Sequence, residues 1–500
     1  MKLDLSSIRE AGSKLREAAA KEPLSDEFRQ LLFAYMDAAE EIFAAIQAAL
    51  VRPTSKNSNL SPSSDLTRGA TPHEKSPRKP GGQPGHAGST LKPFANPDKI
   101  VDLEPENIPA GFRKVGYEIR QTVDIAIHRV VTEYRAHIYQ NDAGKQLRAS
   151  FPENVTRQVQ YGDSVKMEVA YQSVGQMIPF NRIQESLDEQ AGIPISEGSI
   201  QNFLVEAHRN LTGFERWLCF NLLQSRVNHF DETGFRIGGK RWWLHSASNG
   251  KITLYAPHKK RGGEGMNAIG ILPLYQGIAV HDFWGSYLKY PCTHAVCNTH
   301  ILRELEGSHE RDGNQWSVKM KELLKRLNKD KNDGVLTQEQ VEAARREYDE
   351  IVAAGEKECP LPPPQKGKKG RPAKGKTRCL LDRLKDYKEE VLRFLTVPEV
   401  PFTNNQAERD IRMGKLKQKI SGCFRSMDGA RIFCRIRSYI SSCRKHGLSA
   451  VAALGMLYAG QLPEFITLDT VPSDFQMTPL PNKLSSKEQK GSGEPAPEAE

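Results

Sequence analysis

Short apolar runs alternate with helical stretches between residues 224 and 310, and this order limits the fold more than any other feature of the chain. RVNHFDETGF is typical of a strand that ends at Asp231, and Asn249-Gly250, between two further runs of strand character, is a strong signal for a β-hairpin. A helical stretch follows, then a strand in YQGIAVHDFW that ends at Asp282, then a helix that begins in CNTHILRELEG. This order predicts an α/β fold with acids at two strand ends.

The segments before this unit differ in composition. Residues 1–51 carry apolar side chains at helical spacing over 26–50, which predicts an amphipathic helix that packs on the body or pairs with a second copy. Residues 52–97 are rich in Pro, Gly, Ser and basic side chains, so they form either an inert linker or a flexible arm that lies on phosphates. In residues 98–160, stretches of alternating apolar and polar side chains are rich in β-branched residues, which predicts a small antiparallel sheet.

Residues 161–222 return to helical spacing. Within them, GIPISEGSIQNFLVEAHRNL has a turn that contains Gly192 and Pro194, after which Ser196 or Ser199 would cap a helix. This is the pattern of a helix-turn-helix whose second helix is available to DNA. Helix pairs joined by short turns are also common core elements, so both interpretations stay open.

The segments after residue 310 are mostly helical in pattern. Residues 311–398 are highly charged, and a basic loop between Lys366 and Arg378 either enters a DNA minor groove or is a solvated run of charge. Residues 400–460 predict a further helical block. Residues 461–500 are rich in Pro, Ser and Glu, which predicts a disordered tail.

Composition excludes several classes of protein. Lys and Arg total 71 against 61 acids, and the resulting net charge of +10 suits a polyanionic partner. Eight cysteines in 500 residues are too few for a disulfide scaffold and favour a reducing compartment. The most apolar run, 451–460, has the length of a core helix, and the N-terminus has no apolar stretch of signal-peptide type. We therefore expect a soluble cytoplasmic protein without a membrane partner.

Asp231, Asp282 and Glu408 are the acids of greatest chemical interest. Two aspartates at the ends of neighbouring strands point into one cleft, and a carboxylate from a helix across that edge would complete a cluster. Like charges repel in a partly dry site, and divalent cations such as Mg²⁺ or Mn²⁺ relieve that repulsion. Two ions roughly 3.5–4 Å apart would activate an attacking hydroxyl and stabilise a leaving oxygen, which is phosphoryl-transfer chemistry.

Each of these acids also has a purely structural interpretation. Asp231 and Asp282 would each end a strand in an Asx turn. The sequence from Asn405 to Glu408 fits a helix capping box, and Glu408 would form an i,i+4 ion pair with Arg412. Spacing alone does not decide between the two interpretations.

A basic run follows Glu408. Between Arg409 and Lys445 there are eleven Lys or Arg residues against two acids, a one-sided charge that phosphate contacts explain better than solubility does. The candidates for DNA contact are Arg409, Arg412, Lys415, Lys417, Lys419 and Arg425.

Several of these motifs together resemble one known family, the insertion sequence 66 family of bacterial DDE transposases. KNSNLSPSSD and GGQPGHAGSTL are similar to its linker signature, and PISEGSIQNF is similar to its helix-turn-helix region. HFDETGFRI and IAVHDFWGSY resemble the segments with its two catalytic aspartates, and NNQAERDIRMGKLKQKISGCF closely resembles the block with its catalytic glutamate. In that block Asn404 or Asn405, Glu408, Arg409 and Arg412 fall in the family's pattern.

The resemblance implies an RNase H-like catalytic domain over residues 223–460 with a helical insertion, and a DDE triad of Asp231, Asp282 and Glu408 that binds two Mg²⁺ ions, with Mn²⁺ as a substitute. It implies a bacterial, nucleoid-associated transposase that binds the ends of an insertion sequence, cleaves strands and joins them to target DNA. The implied partners are double-stranded DNA, further copies of the chain and accessory proteins of the same element. The alternatives are a metal-dependent nuclease of the same fold and a catalytically silent DNA-binding repressor.

The sequence argues against zinc. Cys297-x-x-His300 is similar to a Cys-x-x-His signature that follows the second aspartate in many transposases of this fold, and Cys292 lies nearby. Three possible ligands without a clear fourth favour a structural role over a zinc site. Many relatives carry a cysteine-rich zinc module before the helix-turn-helix region, but residues 97–160 here contain no cysteine.

Overall fold

The computed structural model describes residues 6–50, 57–58, 91–361 and 374–476. The chain begins with helices α1 (Ser6–Lys21) and α2 (Asp26–Leu50), which an ion pair between Arg16 and Asp37 joins. α2 confirms the amphipathic helix predicted from the spacing of apolar residues. Most of the predicted basic arm and most of the basic loop between Lys366 and Arg378 lie outside the described residues.

The sheet predicted over residues 98–160 is present only as one small hairpin. Its strands are β1 (Ile138–Gln140) and β2 (Gln146–Arg148), which pair antiparallel. The prediction is wrong in extent, because the alternating apolar side chains of this segment pack against no second layer: Ile125 is 88% exposed and Val130 81%. Strands without a buried face are marginal in water.

A helical region follows the hairpin. Its helices are α3 (Asp163–Ala170), which continues as one π-helical turn, α4 (Phe180–Ala191), α5 (Glu197–Asn210) and α6 (Thr212–Gln224). α4 ends at Gly192, whose φ of 60° is a left-handed conformation that glycine adopts without strain. Ser196 then caps α5 by accepting a hydrogen bond from the Ser199 N–H at 3.0 Å. α4 and α5 are therefore two helices joined by a short turn, with Ser196 as the cap, and a helix-turn-helix role of this pair stays a prediction.

The centre of the fold is a five-stranded mixed sheet. Its strands are β3 (Val227–Ile237), β4 (Lys240–Ser248), β5 (Thr253–His258), β6 (Ile278–His281) and β7 (Thr293–Val296), in the order β5-β4-β3-β6-β7. β3, β4 and β5 are antiparallel neighbours, whereas β6 and β7 run parallel to β3. The turn at Asn249-Gly250 confirms the predicted hairpin, and α7 (Gly263–Ile269) confirms the helix after it.

The helices after the sheet complete two hydrophobic cores. They are α8 (Asn298–Asp312), α9 (Trp316–Asp333), α10 (Gln338–Glu358), α11 (Lys376–Asp386), α12 (Lys388–Thr396), α13 (Asn405–Ser421), α14 (Met427–Lys445) and α15 (Ala450–Tyr458). α9 to α12 form the helical insertion predicted over residues 311–398. With α8, they cover β6 and β7, whereas α3 to α6, α14 and α15 pack around β3, β4 and β5.

The chain after α15 packs on α6. Ile466 and Val471 are buried, the Phe475 ring lies 5.2 Å from the Phe220 ring, and Arg216 Nε donates to the Phe475 carbonyl at 3.1 Å. The disorder predicted for residues 461–500 is therefore wrong up to residue 476, because apolar side chains among the prolines find a partner in α6. Residues 477–500 lie outside the described part.

Two further properties of the described residues bear on the expected compartment. All eight cysteines are free thiols. No helix in the described ranges is both long and apolar enough to cross a membrane.

Candidate active site

Asp231 and Asp282 come just after the point where β3 and β6 pair in parallel. The last pair of this register is His229 with Val280, and each aspartate lies two residues beyond it, Asp231 within β3 and Asp282 directly after β6. The prediction that a strand ends at Asp231 is wrong: β3 continues to Ile237 because β4 pairs with it beyond the point where β6 ends. Both aspartates nevertheless stand at the same edge of the parallel pair.

Glu408 lies in the first turn of α13, and this helix packs directly on the sheet. A Cβ atom at Gly414 would stand 2.3 Å from Leu244 Cδ2 of β4, so only glycine permits this approach. Leu244 pairs with Thr233, and alternate residues of a strand share a face, so α13 covers the face of β3 that carries Asp231. The glutamate and the first aspartate therefore lie on the same side of the sheet.

Asn404 fixes the start of α13. Its buried side chain contacts β3 twice: Oδ1 lies 2.8 Å from His229 Nδ1, and Nδ2 donates to the Phe230 carbonyl at 2.8 Å. Its backbone N–H also points at Cys297 Sγ, 3.1 Å away. The residue before α13 is thus joined to the central strand and to the residue after β7, and the position of Glu408 depends on both contacts.

The two contacts that a purely structural role of Glu408 predicts, a capping box and an ion pair with Arg412, are not seen in the described residues of its helix. Asn404 is the N-cap and makes no side-chain cap hydrogen bond, so the capping box predicted from Asn405 to Glu408 does not form. Within the described part of the chain, Glu408 and Arg412 form no ion pair. The Asx-turn interpretation does hold at Asp282, whose Oδ1 accepts a hydrogen bond from the Trp284 N–H at 3.1 Å.

Asp231, Asp282 and Glu408, which we call the acid cluster, repel one another. Burial raises the pKa of Asp231 well above its ordinary value, and the charges of Glu232, Asp282 and Glu408 raise it further. Burial also raises the pKa of Asp282, against the positive charge of His300. A divalent cation would remove this unfavourable term, because it offsets both the burial and the repulsion of the carboxylates.

The donor set of the acid cluster fits hard divalent cations. All three donors are carboxylates, which Mg²⁺ and Mn²⁺ prefer. Among the described residues, these three do not form a group whose ligand atoms all lie within 4.8 Å of one another. The set is therefore wider than a single three-ligand site.

Cys297 and His300 adjoin the acid cluster. Their side chains and Glu408 offer three ligand atoms within 4.8 Å of one another. Burial opposes charge on both groups, but their mutual hydrogen bond and attraction lower the pKa of Cys297 and raise the pKa of His300 to about 9. Cys292 is not part of this group, since its Sγ lies 4.0 Å from His294 Nε2. The imidazolium of this pair, and not the pair as a whole, brings a positive charge to the acids.

The six basic residues predicted to contact DNA differ in exposure. Four are exposed, namely Arg409, Arg412, Lys419 and Arg425. Lys415 is partly buried, and Lys417 Nζ lies 4.8 Å from the Phe424 ring centroid, where burial lowers the pKa of the lysine. The exposed members give α13 and the turn after it a positive surface next to Glu408.

Two later arginines of the basic run are buried. Arg435 donates to the His208 carbonyl at 3.0 Å and forms an ion pair with Glu215, and Arg437 lies 3.4 Å from the Val174 carbonyl. These side chains bind α14 to the helices before the sheet. Part of the excess charge that the sequence assigns to DNA contact therefore stabilises the fold.

Together these features define an α/β protein with a partly buried carboxylate site beside a basic helix. A family model described as "Transposase IS66 family" matches residues 158–432, more than half of the chain. The chain belongs to this family, as the resemblance of its motifs predicts. The matched region begins before α3, ends within α14 and includes the whole acid cluster.

The chain is also similar to an uncharacterized protein, y4jO, of Sinorhizobium fredii (strain NBRC 101917 / NGR234). It is 38% identical over 76 residues, which is 15% of this chain and 24% of that protein. The chain thus aligns with about a quarter of that relative's length.

Proposed function

We propose that the chain is a DDE transposase that cleaves DNA strands at the ends of an insertion sequence and transfers them to target DNA. Family membership supports the transposase role. The observation that carries the chemistry is the register that brings Asp231 and Asp282 to the same edge of the parallel pair, with Asp231 on the face covered by the helix of Glu408. The strand order β5-β4-β3-β6-β7, with two strands parallel to β3, supports an RNase H-like core.

In this proposal the acid cluster holds two divalent cations, Mg²⁺ or Mn²⁺. When bound, such cations supply Lewis-acid activation of an attacking oxygen and stabilisation of a leaving oxygen. The chain itself partly buries Asp231, and it holds Glu408 in place through Asn404. His300 remains positive beside the acids, so it limits their repulsion before a phosphate arrives.

DNA would lie along the exposed basic face of α13. Arg409, Arg412 and Lys419 are positioned to contact phosphates on either side of a strand held at Glu408. Arg425 Nη1 lies 3.6 Å from the carboxylate of Glu197 in the first turn of α5. The basic surface and the start of α5 therefore adjoin, which supports one continuous surface for the DNA of the element ends if α4 and α5 act as a helix-turn-helix.

The proposed reaction requires several partners. Strand transfer joins two DNA ends to a target, so we propose at least two copies of the chain in the active complex. Accessory proteins of the same element and a location at the bacterial nucleoid, in the cytoplasm, are part of the proposal.

The test uses purified protein, Mg²⁺ or Mn²⁺, and a duplex that carries the DNA flanking the gene. New 3′ ends and joined products are mapped for the wild type, for Glu408→Gln, and for Glu464→Gln as the matched control at an exposed glutamate after α15. We expect cleavage and joining in the wild type and the control, and loss of both in Glu408→Gln with DNA binding intact. Cleavage without joining would identify a nuclease, and equal activity of the two variants would refute the role of Glu408. Binding without any cleavage by the wild type would favour the repressor.

A further inference from the structure

Arginine and tryptophan side chains alternate in a stack beside Asp282. Arg241 Cζ lies 4.9 Å from the ring centroid of Trp243, and Arg261 Cζ lies 5.1 Å from that centroid and 4.1 Å from the ring centroid of Trp284. The four residues come from β4, from the loop after β5 and from the loop after β6. We call these four side chains the Arg/Trp stack.

The Arg/Trp stack and α13 lie on opposite faces of the sheet. Trp243 and Leu244 are consecutive residues of β4, so their side chains lie on opposite faces of the sheet. α13 packs against Leu244. The other end of the stack reaches the acid cluster, because the Trp284 N–H donates to Asp282 Oδ1 at 3.1 Å. Asp282, which directly follows β6, therefore lies at the edge of the sheet. The basic helix α13 is on one face of the sheet there, and the Arg/Trp stack is on the other.

Glu232 holds Arg261 in the Arg/Trp stack. Its side chain is 1% exposed, it accepts a hydrogen bond from Arg261 Nε at 2.8 Å, and it forms an ion pair with Arg261 Nη2 at 2.7 Å. Tyr287 donates to the second carboxylate oxygen. The arginine is thus fixed between two rings, although 40% of its side chain stays exposed. An arginine held in this way loses little conformational freedom when a ligand binds.

The chemistry of the Arg/Trp stack fits unpaired nucleobases. Tryptophan rings and guanidinium planes are the surfaces on which bases of single strands stack, and two arginines also suit a phosphate backbone. Arg241 is exposed, and Trp243 and Trp284 are only partly buried. Bases within a duplex already stack on each other, so an unpaired nucleotide is the form of DNA that can use this surface.

We propose that the Arg/Trp stack binds unpaired bases of the DNA strand whose phosphate lies at the acid cluster, so that this strand crosses the sheet edge from α13 to the stack. This inference rests on the proposed function, which places the phosphate there. Stacking reads no hydrogen-bonding edge of a base, so the subsite discriminates paired from unpaired nucleotides and has little preference among the four bases.

The test compares two forms of the flanking DNA, a blunt duplex and a duplex with a short unpaired tail at the cleavage position. The wild type should bind the tailed form more tightly and should change the fluorescence of a 2-aminopurine in the tail. Trp284→Leu keeps an apolar side chain without a ring, and it should weaken binding of the tailed form by roughly 5- to 150-fold and leave the blunt duplex unaffected. Trp284→Phe keeps a ring and should retain most of the preference, and a tail of abasic sites should bind like the blunt duplex.

Two results would overturn the inference: a full tail preference in Trp284→Leu, or an abasic tail that binds as tightly as one with bases. Cleavage by the same wild-type preparation separates the inference from the proposed function. Cleavage that depends on Glu408 without any tail effect refutes the Arg/Trp stack alone. A tail effect without any cleavage that depends on Glu408 refutes the proposed function, and with it the claim that the strand is held at the acid cluster.

Discussion

Replacing Asn404 by alanine should destabilise the protein and displace Glu408. The residue is 2% exposed, and its side chain contacts His229 Nδ1 and the Phe230 carbonyl. Alanine leaves these two buried groups without their partner, at about 1–3 kcal/mol each, so we expect a loss of roughly 2–6 kcal/mol in the free energy of unfolding. This is a large share of the roughly 5–15 kcal/mol by which folded proteins are stable.

The neighbouring asparagine provides the matched control. Asn405 is exposed, and surface substitutions usually change stability by less than about 0.5 kcal/mol. Denaturant unfolding measures the stability of both variants, and cleavage of flanking DNA is assayed at a temperature where both are folded. We expect the stability loss in Asn404→Ala alone, together with at least a tenfold loss of cleavage, about 1.4 kcal/mol in the barrier. Equal unfolding free energies would refute the reasoning, and full activity of a folded Asn404→Ala would refute the link to Glu408.

Three further predictions concern the acid cluster, the buried arginines and the packing of α13. Burial raises the pKa of Asp231, so its charge costs stability that grows as the pH rises from the ordinary value of about 3.9 to the raised one. Without metal at pH 7, Asp231→Asn should therefore unfold at a higher temperature than the wild type. Addition of Mg²⁺ should raise the melting temperature of the wild type by more than it raises that of the variant. Arg435→Ala should lose about 3–5 kcal/mol in the free energy of unfolding, measured with denaturant, because it leaves the charge of Glu215 inside the protein without its partner. Arg425→Ala should leave the stability unchanged and should lower only the slope of log DNA affinity against log salt, by about 1. Gly414→Ala should lose about 1–3 kcal/mol and reduce cleavage, because its Cβ would overlap Leu244, and an unchanged unfolding curve would contradict the packing of α13.

The elements around the site could be predicted where a local signal existed. The hairpin was predictable from Asn249-Gly250, and the start of α5 from the serine after Gly192. The acids stand in short motifs that resemble those of a known family. The register that brings Asp231 and Asp282 to the same edge of the parallel pair could not be predicted, because it depends on parallel pairing of strands that are distant in the sequence, and local periodicity carries no information on such pairing.

Other features of the site needed the contacts themselves. Two identical neighbours, Asn404 and Asn405, differ only in burial, so the sequence could not decide which one matters. β7 has four residues and no alternation, which is too short for a periodicity signal. The buried state of Arg435 had no such signal, because α14 mixes arginines and serines with its apolar residues, and only the structure shows that all its residues from Ile432 to Cys443 are buried.

The residues next to the two aspartates of the acid cluster pack in different hydrophobic cores. Phe230, next to Asp231, packs in the core of β3 to β5 with α3 to α6, α14 and α15. Val280 and Phe283, on either side of Asp282, pack in the core that β6 and β7 form with α8 to α12. The distance between the two carboxylates therefore depends on how the two cores pack against each other.

The segment that contains Glu408 also runs from one of these two hydrophobic cores to the other. Phe402, just before α13, packs in the core of the helical insertion, whereas Ile411, within α13, packs in the core of the antiparallel strands. Asn404 lies between these two residues, and its hydrogen bonds hold the crossing point to β3. A change in the packing of the helical insertion would shift Asp282 and the start of α13 together, since both are attached to the second core. If the acid cluster binds divalent cations as we propose, the insertion would alter that binding without contributing a ligand. Substitutions in α9 to α12 should then change metal dependence before they change DNA binding.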